Sequence, residues 1–363
     1  GSNGTFIMEG GAIKGNESDI DGGGIYVEDT KATFTMKGGE ISGNKALNPG
    51  SGKGGGVCAG AYGIFTMEGG TIKDNEAAIE GGGVYVAGTN SRFTMKGGDI
   101  NGNKALNTSS GKGGGVCVGA SGIFTMEGGT VSKNVSGNDG GGVYVEGANS
   151  KAYIRNGTIG GSSSTDANRA QYGAGVYARD AGYLELGTGG KSYSYPTIQN
   201  NASSNSSSGT GGGIVVYGAG AAAVFHHGTI RDNNGATRGG GILIGNGGKL
   251  DIQGGTITGN IAGVGPGLTV ESGGSLSMSS LARVNDDNNP IYLHVTGLTI
   301  TIAGDFSPLP ISGDIAKIKT VAGYNSGDTI LTGSSGHVQN YHDKFKVWTG
   351  GSYQSLSSGG QIP

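Results

Sequence analysis

The side chains with the most latent chemistry are two cysteines, five histidines and a recurring set of tyrosines, and their spacing decides what they can do. Cys58 and Cys117 sit at matching places in two near-identical stretches, GGGVCAGAYGIFTMEGGTI from Gly54 to Ile72 and GGGVCVGASGIFTMEGGTV from Gly113 to Val131. If those stretches stack two turns apart, the cysteines lie about 9.6 Å apart, beyond the roughly 7 Å limit for a bridge. Free thiols are predicted. His226 and His227 are adjacent and diverge from a strand end, a poor spacing for a shared metal. Asp286 to Asn289 (DDNN) offers four oxygen-bearing side chains for calcium, but reads better as a solvated turn. Polysaccharide hydrolysis or elimination would need a carboxylate pair, or a calcium cluster with a base, on one face. Asp19, Asp21, Asp139 and Asp166 are scattered instead, and no P-loop, nucleophile elbow or metalloprotease helix is present. No catalytic residue, metal or cofactor is assigned.

The tyrosines belong to a column that reads Tyr26, Cys58, Tyr85, Cys117, Tyr144, Tyr177, Val215, Leu243, Thr269. If Val57 and Val84 face inward, this column faces outward. Flat rings with a hydroxyl suit sugar stacking. Tyr26, Tyr85, Tyr144 and Tyr177 are therefore candidate ligand contacts, joined by Tyr193 and Tyr195 of the inserted segment Gly187 to Pro196. Aromatic and β-branched residues also pack well on any sheet surface, which explains the same column without a ligand.

The elements that position these residues follow from repetition. Of 363 residues 82 are Gly and only 7 Pro, without the every-third-residue glycine of collagen. Short apolar runs recur too regularly for a disordered tail. The formal charge of −3 supplies no field for nucleic acid. No apolar run is long enough to span a bilayer. The motif Gly-Gly-x-Ile-x-x-Asn places an apolar residue at Ile13, Ile41, Ile72, Ile100, Val131, Ile159, Ile198, Ile230 and Ile257. Most units are thus 28 to 31 residues long, and Phe34 to Arg92 repeats as Phe93 to Lys151 with 42 identities in 59 positions. A two-unit module has been duplicated.

Each unit reads as three short strands, FTME, TIK and GVYV, that cannot bury an apolar face alone and must stack on their equivalents. The expected fold is all-β: a right-handed single-stranded parallel β-helix of about nine to ten turns with an irregular β C-terminal cap. Paired and triple glycines mark the corners. The Asn closing each second strand (Asn16, Asn44, Asn75, Asn103, Asn134, Asn201, Asn233, Asn260) tolerates the left-handed region and should form a ladder, interrupted at Ser162. Outward residues Glu9, Lys37, Glu68, Lys96, Glu127 and Arg155 alternate in charge, which opposes a one-unit slip. The longest insertions, Ser162 to Tyr172 and Ala202 to Thr210, suit a recognition edge. A threonine column (Thr130, Thr158, Thr197, Thr229, Thr256) lacks the matched neighbour column that ice binding would need.

The expected domains are repeats over 1–280 and irregular final turns with a cap over 281–363, where Phe345 and Trp348 are the expected plugs. The chain opens inside a repeat, so upstream sequence is expected. The segments GGAIKGN, GGEISGN and GGTIKDN resemble the repeats of bacterial polymorphic outer-membrane and adhesin-like proteins, from about Phe6 to Val270. The tail from Ala282 resembles the endings of repeat-rich bacterial surface proteins. The resemblance implies an extracellular or cell-surface protein, adhesive toward a host or microbial glycan or surface protein, with no catalytic residues to carry over. The alternative is a carbohydrate-active β-helix enzyme, a lyase or hydrolase.

Overall fold

A computed structural model of the chain describes residues 3–187, 195–284, 286–306, 313–349 and 351–363. Among these the chain winds into an all-β parallel solenoid of about 12 turns. Four sheets run along it, of 12, 9, 7 and 13 strands. Like residues stack directly: Phe34 on Phe65, Ile72 on Ile100 and Tyr85 on Cys117.

Two features differ from the sequence reading. Each early turn has four strands, because a two-residue strand such as Lys45–Ala46 or Glu76–Ala77 follows the asparagine corner. Its buried residue is small, Ala46, Ala77 and Ala105 in successive turns, so it carries no β-branched or aromatic signal. The turn count exceeds nine to ten because the second sheet ends at Thr256–Thr258 while the first and fourth continue. Ile291–Leu293, Ile300–Phe306, Ala316–Thr320, Leu331–Gly333 and Phe345–Thr349 extend them.

The lumen is filled by side chains at alternate strand positions. Phe34, Phe65, Phe93 and Phe124 stack with ring centroids 4.5–5.0 Å apart, close to the strand spacing itself. Met36, Met67, Met95 and Met126 form the next column and the Ile13-to-Ile257 column lies beyond it, buried from Ile41 onward. At the corners glycine is required for space as well as conformation. Gly39 has φ +88°, and a Cβ on Gly23 would lie 2.5 Å from the carbonyl oxygens of Gly55 and Lys45.

The asparagines form a buried ladder. Asn44 Nδ2 donates to Asn75 Oδ1 at 2.9 Å, Asn75 to Asn103 and Asn103 to Asn134 likewise. The same Oδ1 atoms also accept the backbone N–H of the preceding asparagine. Ser162 does not interrupt it: Asn168 takes the sixth place, bonded to Asn134 at 3.1 Å and Asn201 at 2.9 Å. The inserted loop precedes the ladder residue here, so the chain travels further before closing the same corner. Asn289, the last residue of DDNN, continues the ladder by accepting the Asn260 N–H. The left-handed backbone falls one residue earlier than expected, at Gly43, Asp74, Gly102 and Lys133.

The alternating charges pair between neighbouring turns, across the boundaries of the 59-residue modules. Lys37 meets Glu9 at 2.8 Å, Lys96 meets Glu68 at 3.2 Å and Arg155 meets Glu127 at 3.2 Å. At the far end Ser352–Ser355 turns antiparallel against Phe345–Thr349. The helix Ser335–Tyr341 lays Val338 and Tyr341 into the core beside Phe345. Phe345 is buried, whereas Trp348 is exposed and edge-packed on Tyr353.

Candidate functional site

The outer face of the fourth sheet carries three parallel columns, and their chemistry changes halfway along the molecule. The central column is the tyrosine and cysteine row, in the register read from the sequence. On one side runs Lys53, Glu80, Lys112, Asp139, Tyr172, Thr210, Arg238, Val264. On the other, Glu146, Arg179, Tyr217 and Gly245 stack in turn.

In the first half, ion pairs along and across the central column close it. Lys53 Nζ lies 2.9 Å from Glu80, 3.2 Å from the Tyr85 hydroxyl and 4.8 Å above the Tyr85 ring. Lys112 sits 5.3 Å above the Tyr144 ring and pairs with Glu146 on the far side. The tyrosine row therefore faces away from the lumen but is increasingly covered along the molecule. Tyr26 is 51% exposed, Tyr85 is half-buried, and Tyr144 and Tyr177 are 0% and 5% exposed. Tyr144, Tyr177, Cys117, Val215 and Leu243 form a second apolar cluster outside the lumen. Burial pushes the Cys58 and Cys117 thiols and the Tyr144 and Tyr177 phenols above their ordinary ranges. Both cysteines are free, with Tyr85 stacked between them.

From the sixth turn the cover opens. Tyr172 and Thr210 replace the charged residues of the flanking column, and Val215 and Leu243 replace the tyrosines of the central one. The result is a groove of about 600 Å³ with a floor of Tyr177, Val215 and Leu243. Ser207, Ser208 and Thr210 of the second long insertion, with Thr237, give it a hydroxyl rim. Tyr172 and Tyr217 stand on opposite sides of the floor.

Two ion pairs cross the face and bracket the groove. At one end Arg179 Nη1 is 3.1 Å from Asp139 Oδ2. At the other Arg238 Nη1 is 2.8 Å from Glu271 and 3.3 Å from His294 Nε2. Burial raises the Asp139 carboxyl to about 6 although the Arg179 charge opposes the shift. Asp139 and Glu271 lie four turns apart, about 19 Å along the axis, well outside the roughly 5 to 9.5 Å used by paired glycosidase carboxylates.

The remaining candidates lie elsewhere. Tyr195 is exposed and tilts against His227 at 4.9 Å, on a different face from the groove. Tyr193 lies outside the described residues. His226 bonds Gln253 in the outward column. In DDNN, Asp286 caps its own turn through the Asn288 N–H and also accepts from Thr258. No group of three or more potential metal ligands occurs among the described residues. Among the described residues no helix is long and apolar enough to cross a membrane. Sequence reasoning named Tyr177, Val215 and Leu243 as a column but missed the groove, since Tyr172 and Arg238 lie in one flanking column and Arg179 and Tyr217 in the other. The legible signal was the loss of Lys and Glu beside the triple-Gly corner after Asp139. Comparison with protein-family models, with curated proteins and with solved structures gives no match.

Proposed function

We propose that this chain is a non-enzymatic extracellular or cell-surface scaffold of adhesive type, and that the groove on its sixth to ninth turns is where it holds a glycan. The observation that carries the reading is a groove flanked by the partly exposed rings of Tyr172 and Tyr217, over a buried apolar base of Tyr177, Val215 and Leu243 and beneath a rim of hydroxyls. Such a site offers what a sugar needs, flat apolar contact with hydrogen-bonding groups around it. The resemblance of the Gly-Gly-x-Ile repeats to adhesin-like proteins supports the surface location. In the same reading, the antiparallel strand and helix near the C-terminus act as a cap over the final turn.

The test is a glycan array probed with the unaltered protein and with Leu243→Trp, which fills the floor. Binding that the substitution abolishes supports the reading. Binding insensitive to it, or none across a broad array, overturns it.

A second reading, a carbohydrate-active enzyme, draws on one observation. Asp139 and Glu146 both contact Arg179 at one end of the groove, and burial raises the Asp139 carboxyl to about 6. A group so placed suits a general acid. Release of reducing ends from a polysaccharide panel, lost in Asp139→Asn, would favour this reading over the first.

A further inference from the structure

We infer that the groove selects an uncharged sugar, one ring of which stacks on Tyr217. The inference rests on the groove being the glycan site and names what that site accepts.

The first argument is electrostatic. Each guanidinium bordering the groove already faces a carboxylate. Arg179 meets Asp139 and Asp180, each at 3.1 Å, and Arg238 meets Glu271 at 2.8 Å. An anionic sugar would have to displace one of these carboxylates and would then sit beside it. A cationic ligand would meet the two guanidinium groups. Both guanidinium groups are thus already occupied and carboxylates outnumber them, so an acidic sugar gains no free cation and an uncharged one loses least on entry.

The second argument is the setting of Tyr217. It follows Arg179 in its column and precedes Gly245. A Cβ on Gly245 would lie 3.0 Å from Tyr217 Cε2 and 3.2 Å from Glu271 Cβ. The absent side chain lets the tyrosine ring lie over the backbone of the next turn, where a larger residue would lift it away. One side of the ring is thus supported by the sheet. The ring also packs against the cluster formed by Tyr177, Val215 and Leu243 while remaining partly exposed. A rigid aromatic plate at the edge of an apolar floor, facing Ser207, Ser208 and Thr237, matches the C–H face and hydroxyl edge of a pyranose.

The third argument is length. Arg179 and Arg238 lie two turns apart, so the open floor spans about 10 Å. One or two sugar rings fit between the ion pairs.

Calorimetric titration with maltotriose, cellotriose and a β-galactoside trisaccharide as neutral probes, and with trigalacturonate and a sulfated disaccharide as acidic ones, tests the proposal. The expected result is binding of at least one neutral probe, insensitive to salt. Tyr217→Ala should weaken it about three- to tenfold, and Tyr217→Phe should change it little, since the ring supplies the contact. Urea midpoints equal to that of the unaltered protein check that each variant folds, and a second variant, Gly245→Ala, keeps every groove side chain while its Cβ presses on Tyr217 Cε2 and on Glu271. It should weaken binding in the same direction. Binding of acidic probes alone, abolished by Leu243→Trp, would overturn the uncharged selectivity and leave the groove standing as the glycan site. Neutral binding equal in Tyr217→Ala and the unaltered protein would overturn the role of Tyr217. Binding of either class unaffected by Leu243→Trp would overturn the groove reading, and this inference with it.

Discussion

Asn168 and Asn201 are joined side chain to side chain, Nδ2 to Oδ1 at 2.9 Å, across a turn that carries a long inserted loop. On its other side Asn168 accepts both the backbone N–H and the Nδ2 of Asn134 at 3.0 and 3.1 Å. All three residues are fully buried. One side chain therefore carries the ladder past a long inserted loop.

Replacing Asn168 with Ala should lower the unfolding free energy from urea titration by about 1 to 3 kcal/mol for each buried polar group left unpaired. Ser162→Ala, at the exposed start of the same loop, should lie within about 0.5 kcal/mol of the unaltered protein. Equal effects at the two positions would show that the loop, and not the ladder, sets stability there.

This contrast also marks how far the sequence was legible. The repeat length, the stacking register and the lumen columns could be read directly, because each depends on one residue type recurring at one spacing. Asn168 could not, because it is reached only after six extra residues that break the Gly-Gly-x-Ile-x-x-Asn count. The fourth strand of each turn was hidden for a different reason: alanine and serine fill its narrow corner, and neither advertises a strand. The groove was less legible still. It arises from aliphatic residues at Val215 and Leu243 in place of tyrosine, from Gly245, and from two ion pairs whose members are 33 and 40 residues apart.

The buried thiols should be slow to react. At neutral pH Cys58 and Cys117 stay protonated because burial disfavours the thiolate. Ellman's reagent should label neither in the folded protein within minutes and both at once in denaturant. Prompt labelling of one thiol in the native state would place it at an opening in the sheet face.

The stability contribution of Asp139 should carry a distinctive sign. Its folded-state value of about 6 lies above the ordinary 3.8, so between these limits the folded form binds more protons than the unfolded one. Stability from this residue is therefore present at low pH and lost as pH rises through about 4 to 6. Relative to Asp139→Asn, the unaltered protein should gain about 2 kcal/mol on acidification across that window. Urea midpoints at several pH values check this, and a gain in the opposite direction would mean that Arg179 outweighs burial.

The cap assignment predicts an association defect. A chain ending at Thr349 loses the strand Ser352–Ser355 and the buried Leu356 and Ile362, leaving the edge of Phe345–Thr349 unpaired. Size-exclusion chromatography with light scattering should show concentration-dependent oligomers that the full chain does not form. A monodisperse truncation would remove the capping role.

The pairing of Lys37 with Glu9, Lys96 with Glu68 and Arg155 with Glu127 bears on how such a protein can grow. Unequal recombination that adds or deletes a single turn would set two lysines or two glutamates face to face, whereas an exchange of two turns preserves every couple. Copy number is thereby quantised in pairs, and lengths that evolution samples should differ by multiples of 59 residues.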